Sequence, residues 1–153
     1  MRATGESEFE DRTAHLLKLA SKAAARALQV RLAAVGVSYA HWTLLRILWK
    51  KSDLSITELA RLANVAKPAV VIAIRAMEKK GYVKRRRKKG NLKAIYIDLT
   101  RGGAALEDKL IALALDVNKI ALDGVSEQQE LRFRGVLVKI IRNLGAESRA
   151  RAE

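Results

Sequence analysis

"LSITELARLANVAKPAVVIAIRAMEKKGYVKRRRKKGNLKAIYIDLT", Leu54 to Thr100, decides how this chain folds, because its apolar period changes partway along. Ser55 and Glu58 stand at capping-box spacing ahead of Ile56, Leu59, Ala60 and Ala63, which share one face of a short helix. Proline suits the first turn of a helix and pushes the residue before it toward extended backbone. Pro68 therefore marks the start of the next helix, with Lys67 its expected N-cap. On that helix Val70, Ala73, Ile74 and Met77 form a core stripe, leaving Ala69, Val71, Ile72 and Arg75 to face outward. The gap between the two helices has helix-turn-helix length. After Gly81 the period becomes two: Ile95, Ile97 and Leu99 alternate with Ala94, Tyr96 and Asp98, and Tyr82-Val83 offers a shorter partner strand. Turn chemistry at Lys89-Gly90-Asn91 makes this a hairpin that carries the basic run, Lys84 to Lys93, toward its tip.

Outward from this unit the text is helical. Glu8 to Leu32 is Ala-rich, without Gly or Pro, and reads as a long first helix. Ser38 is placed to cap a second helix through Trp42, Leu45, Leu48 and Trp49, apolar on more than one side and therefore central. Thr100 is placed to cap a helix with two apolar stripes, Leu106, Leu110, Leu113, Val117 and Ile120 on one and Ile111, Leu115 and Leu122 on the other. Ser126 and Gln129 repeat the capping-box spacing before a last helix reaching Leu144. The expected fold is mainly α with a small β-hairpin wing. A winged helix-turn-helix unit spans 36–100, N- and C-terminal dimerisation helices span 8–33 and 101–145, and disordered tails are expected over 1–7 and 146–153.

Thirty Lys and Arg against sixteen Asp and Glu, in 153 residues, leave a formal charge of +14. A surplus of that size points to a polyanionic partner, most often nucleic acid. Zero Cys excludes disulfides, thiolate zinc sites and thiol redox sensing. No uninterrupted apolar run is long enough to span a bilayer, and "MRATGESEFEDR" lacks the apolar block of a signal peptide, so the expectation is a cytoplasmic protein with no membrane partner. The nine glycines form neither a dinucleotide fingerprint nor a phosphate-binding loop, and His15 and His41 lie far apart without carboxylates at ligand spacing. We expect no catalytic residues, no metal, no cofactor and no enzyme activity.

The element order, together with "VSYAHWTLLRIL", "SITELARLANV", "MEKKGYVKRR" and "IDLTRGG", resembles the MarR family of winged helix-turn-helix regulators. The likeness runs from about Gly36 to Gly103 residue by residue and covers the flanking helices by pattern. It implies a homodimer whose outer helices interlock, and a pseudo-palindromic site in double-stranded DNA with half-sites about 10 bp apart. Where the family wing commonly carries Asp-x-Arg, this chain has Asn91 and Lys93. Lys93 is a point charge rather than a planar fork, so phosphate contact is expected before minor-groove reading.

The expected DNA contacts are Thr57, Lys67, Ala69, Val71, Ile72, Arg75, Arg85, Arg86, Arg87, Lys88, Lys89, Asn91 and Lys93. The cations should neutralise phosphates, while Ala69, Val71 and Ile72 cannot donate hydrogen bonds and must pack on thymine methyls or on another protein. The resemblance also implies a small aromatic or anionic effector, for which His15, Tyr39, His41, Trp42 and Arg46 are the candidate ligand-binding residues. On this reading the chain is a DNA-binding regulator, most simply a repressor. A sequence-tolerant, chromatin-like DNA binder and a protein-interaction module using the apolar face of the 68–80 helix are the alternatives.

Overall fold

The computed structural model describes residues 12–150, without the side chains of Asn91, Leu92 and residues 148–150. The expectations for residues 1–11 and 151–153 and for the Asn91 side chain lie outside the described residues. The chain divides into two compact units, Met1–Val117 and Asn118–Glu153.

The first unit opens with α1, Thr13–Ala34, which buries only Leu28 and Leu32. Gly36, at φ 73, makes the turn out of it. Ser38 then caps α2, Tyr39–Leu48, by accepting from the His41 amide at 3.1 Å. This helix buries His41, Trp42, Leu44, Leu45 and Leu48 and is the centre of the unit. A two-residue strand β1, Leu54–Ser55, leads into α3, Ile56–Ala63, where the expected capping box of Ser55 and Glu58 is closed in both directions. Asn64, at φ 52, ends α3 in the left-handed conformation that asparagine tolerates.

α4 spans Lys67–Lys79 and buries Val70, Ala73, Ile74 and Met77, the stripe read from the sequence. Its N-cap is Ala66 rather than Lys67, so Lys67 is already helical and Pro68 sits within the first turn. Proline lacks only an N–H that the first turn leaves unpaired anyway, which lets the start slip by one residue. Gly81, at φ 72, turns the chain into β2, Val83–Lys88, and β3, Asn91–Leu99. The expected hairpin is present with its basic run differently placed. Lys84 to Lys88 are strand residues, and only Lys89 and Gly90 form the tip. The register runs evenly from Val83 opposite Leu99 to Arg86 opposite Tyr96, and a β-bulge between Arg86 and Lys88 then shifts it toward the tip. The sheet is antiparallel in the order β1-β3-β2, and β1 was not expected at all.

Thr100 caps a single turn, α5, Arg101–Ala104, and not the long helix expected after it. That helix, α6, Glu107–Ala121, starts only after a break. The reason lies at Gly103, where a Cβ would collide with the Tyr82 carbonyl and the Leu99 side chain. The chain is pressed against the hairpin base there, and Trp49 Nε1 donates to the Gly103 carbonyl at 3.0 Å. One core runs through the unit, with Leu32, Leu45, Leu59, Ile74, Met77, Ile97 and Leu110 fully buried. The second unit is chiefly α7, Glu127–Ala150, opened by the expected Ser126–Gln129 capping pair. It continues past the expected end at 145.

Candidate nucleic-acid interface

α3 and α4 pack as a helix-turn-helix, and β3 runs close by. Thr57 of α3, Lys67 and Val71 of α4 and Lys93 of β3 line one groove of about 320 Å³, with Ser55 and Ile95 among its other wall residues. Four residues expected at the DNA are thus gathered in one place. Thr57, Lys67 and Lys93 are exposed. Val71 is half-buried and packs against the core, so it is a groove wall and not the outward apolar contact expected of it. Of the α4 residues expected at the DNA, Ala69, Ile72 and Arg75 are exposed along with Lys67, Ile72 to 70%. Ile72 lies open among flanking cations and forgoes the gain from burying its methylenes.

The wing does not present its cations uniformly. Arg85 is paired with Glu78 of α4 at 2.8 Å. Arg86 donates through Nε to Asp98 at 2.7 Å and through a terminal nitrogen to Asp53 at 2.7 Å. Lys88 is paired with Asp53 as well. The Arg86 guanidinium and the Lys88 ammonium both lie over the Tyr96 ring. Arg85, Arg86 and Lys88, all expected at the DNA, are each tied to carboxylates of the protein itself. Lys84, Lys89 and Lys93 are exposed along the same hairpin. Arg87 is exposed and shares a groove with Arg85, Glu78 and Ile95. The paired carboxylates are held below their usual range, Asp53 chiefly by Lys88, Asp98 by Arg86 and Glu78 by Arg85. Asp53, Asp98 and Glu78 were missed in the sequence because each lies on a different element. Only the pairing of β2 with β3 brings Arg86 level with Tyr96.

The residues expected to hold a ligand are not gathered. His41 points inward, 6% exposed, with its ring edge-on to Tyr82 and Nδ1 unpartnered. Burial, assisted by the charge of Lys80, lowers its pKa, so the imidazole is neutral and unsuited to receiving an anion. Tyr39 is exposed at the start of α2, and His15 is half-buried on α1. Trp42 and Arg46 do meet, the guanidinium 5.4 Å from the ring centre. Trp42 is itself core, edge-on to Trp49. Arg46 opens on a separate groove of about 360 Å³ with Lys50, Lys51, Ile47 and Leu62. Among the described residues there is no cluster of His, Asp or Glu suited to a metal ion, and no helix is long and apolar enough to cross a membrane.

The MarR family model matches residues 37–95, the helix-turn-helix and most of its wing. Among solved structures, a transcriptional regulator superposes with a TM-score of 0.78 at 28% identity, covering 88% of this chain and 99% of the other. A MarR-family regulator from Silicibacter pomeroyi matches with a TM-score of 0.76 at 24% identity, covering 93% and 96%. A MarR-family protein of Mycobacterium tuberculosis, solved in complex with salicylic acid, matches with a TM-score of 0.69 at 25% identity, covering 84% and 96%. No curated protein matches the sequence. With the family model on residues 37–95, and the same fold over nearly the whole length of these regulators, the chain carries a MarR-family winged helix-turn-helix and is similar along its length to MarR-family transcription regulators.

Proposed function

We propose that the protein is a homodimeric repressor that reads a pseudo-palindromic site in duplex DNA and works in the cytoplasm, where that DNA is. The observation that carries this reading is the outer face of α4, where Ala69 and Ile72 stand between the cations Lys67 and Arg75 and beside the groove shared with Thr57 and Lys93. Lysine and arginine on either side hold phosphates, and a methyl-rich face between them suits thymine C5-methyl groups in the major groove. Lys84, Lys89 and Lys93 extend the phosphate contacts along the wing. The half-sites sit about 10 bp apart, one for each protomer.

Dimerisation is supported by apolar faces that a soluble monomer would not leave open. α6 exposes Leu115 and Ile120, and α7 exposes Leu131, Phe133, Ile141 and Leu144. The effector is a small aromatic acid, the class that salicylic acid represents in the mycobacterial relative. It releases DNA by favouring a dimer whose reading helices no longer match the half-site repeat. Arg46, stacked on Trp42 and open to a groove, is the cation available to its carboxylate.

Selection from a random duplex pool at physiological salt tests the reading. It is expected to enrich one A·T-rich inverted repeat, and recovery of no motif would exclude sequence-specific regulation in favour of uniform coating. Ile72→Asp separates the two partners open to the apolar face. Loss of the selected site supports thymine contact, and unchanged DNA affinity assigns the face to a protein.

A further inference from the structure

One face of the wing carries a closed ion cluster. Arg86 donates to both oxygens of Asp98, at 2.7 and 3.2 Å, and to Oδ1 of Asp53 at 2.7 Å, while Lys88 holds Oδ2 of Asp53. The Tyr96 ring centre lies 5.7 Å from the Arg86 guanidinium carbon and 4.1 Å from the Lys88 ammonium. Strand register explains the convergence. Tyr96 is opposite Arg86 on β2 and opposite Ser55 on β1. Side chains two apart on a strand share a face, so Asp98 projects beside Arg86, and Asp53, just ahead of β1, comes level with it. Asp53 does this with a backbone φ of 63°, a left-handed conformation that side chains other than glycine seldom adopt and aspartate tolerates better than most.

The cluster sets two carboxylates against two cations. A lysine already paired within the protein must exchange a carboxylate for a phosphate, so it adds little to the counterion release that drives DNA binding. We propose that Asp53 is an affinity-setting residue, an internal substitute for a DNA phosphate. It keeps Lys88, and together with Asp98 keeps Arg86, off the duplex backbone, so that the wing engages DNA with fewer charges than its sequence carries. The proposal rests on the DNA-binding reading above. It assigns the backbone contacts of the hairpin to Lys84, Lys89 and Lys93, and gives Arg86 and Lys88 the work of fastening the hairpin to the loop before β1. Because Arg86 keeps both bonds to Asp98 when Asp53 is neutralised, Lys88 is the first cation released.

The experiment is a salt series of equilibrium binding by the full chain to a mixed-sequence duplex of about three helical turns. Asp53→Asn is expected to bind about three- to tenfold more tightly at physiological salt, with the slope of log K against log salt steeper by about 0.9 per protomer, the value of one phosphate for each wing engaged. Adding Lys88→Gln to Asp53→Asn is expected to return the slope to the native value, and Asp53→Glu, which keeps the charge, to leave it native. Adding Asp98→Asn instead should steepen the slope by about 0.9 again as Arg86 is freed. An unchanged or shallower slope for Asp53→Asn, with its thermal midpoint retained, overturns the proposal. If that variant does not fold, Lys88→Gln alone decides: a withheld lysine predicts a slope loss far below one phosphate, and a loss of about 0.9 overturns the proposal. A native chain that binds the duplex with no salt dependence removes the DNA-binding reading and this proposal with it, an outcome distinct from a native chain that binds and a variant that does not change.

Discussion

α3 and α4 are neighbours in the chain and begin in opposite ways. α3 opens on a closed ring, in which the Ser55 amide and hydroxyl donate to Glu58 at 2.8 and 2.6 Å and the Glu58 amide donates back to Ser55 Oγ at 3.2 Å. α4 opens on Ala66, whose side chain can accept nothing. The first helix is therefore finished by its own side chains, while the second leaves its positive end uncapped beside Lys67 and is held by the burial of Val70, Ala73, Ile74 and Met77. The helix proposed to read DNA forgoes the hydroxyl or carboxylate that would have competed with a phosphate at its start.

That contrast can be broken first at the core. Met77 is fully buried beneath α4, so Met77→Ala is expected to cost about 2–5 kcal/mol in chemical denaturation. A cost below about 1 kcal/mol would mean that packing is not what holds α4. Ser55→Ala tests the other helix and is expected to cost about 1 kcal/mol, measured the same way, through the lost cap. The same variant should alter acid unfolding, because Ser55 holds the Glu58 carboxyl below its usual range. A depressed carboxylate stabilises the fold above its unfolded pKa, near 4, and loses that contribution as pH falls through the folded value. Without the Ser55 hydroxyl that acid-labile part should shrink to what the backbone amide of residue 55 still supplies.

Ala66→Asp sharpens the comparison further. A new cap should stabilise the protein by about 0.5–1 kcal/mol, while a carboxylate at the start of α4 should weaken DNA binding several-fold. Stability and affinity moving in the same direction would show that this helix end is not near a phosphate. The smallest effect is expected from α2. His41 is buried and its pKa is lowered from 6.5, so its contribution is complete above that value and is lost as pH falls toward the folded one. His41→Phe, which also removes the unpartnered Nδ1, should flatten the fall in thermal midpoint between about pH 7 and pH 5. A midpoint that falls as steeply in the variant would assign the acid sensitivity elsewhere.

The helix-turn-helix was legible because each of its signals is local. The capping box at Ser55, the proline at Lys67-Pro68, the glycine at Gly81 and the stripe of Val70, Ala73, Ile74 and Met77 each depend on residues within a turn or two. What could not be read depends on register and on distance along the chain. The register of β2 on β3 decides which residue faces Tyr96, and no spacing in the basic run announces it or the bulge that follows Arg86. Asp53 reaches Arg86 across 33 positions, and β1 is too short to show a period. His41 looked like a ligand-binding residue because its type is polar. Its place on α2, between Trp42 and the turn that brings Tyr82 alongside, made it core.

Gly103 has a mechanical consequence. Its carbonyl is held by Trp49, its amide by Thr100, and its α-carbon lies against the Tyr82 carbonyl with no room for a methyl group. Three segments that meet so closely cannot swing about one another, so α5 is welded to the hairpin base and to the end of α2. The next backbone link, from Leu106 to Gly103, is stretched to 3.4 Å. Any side chain at position 103 would have to part α5 from the hairpin base before it could be accommodated.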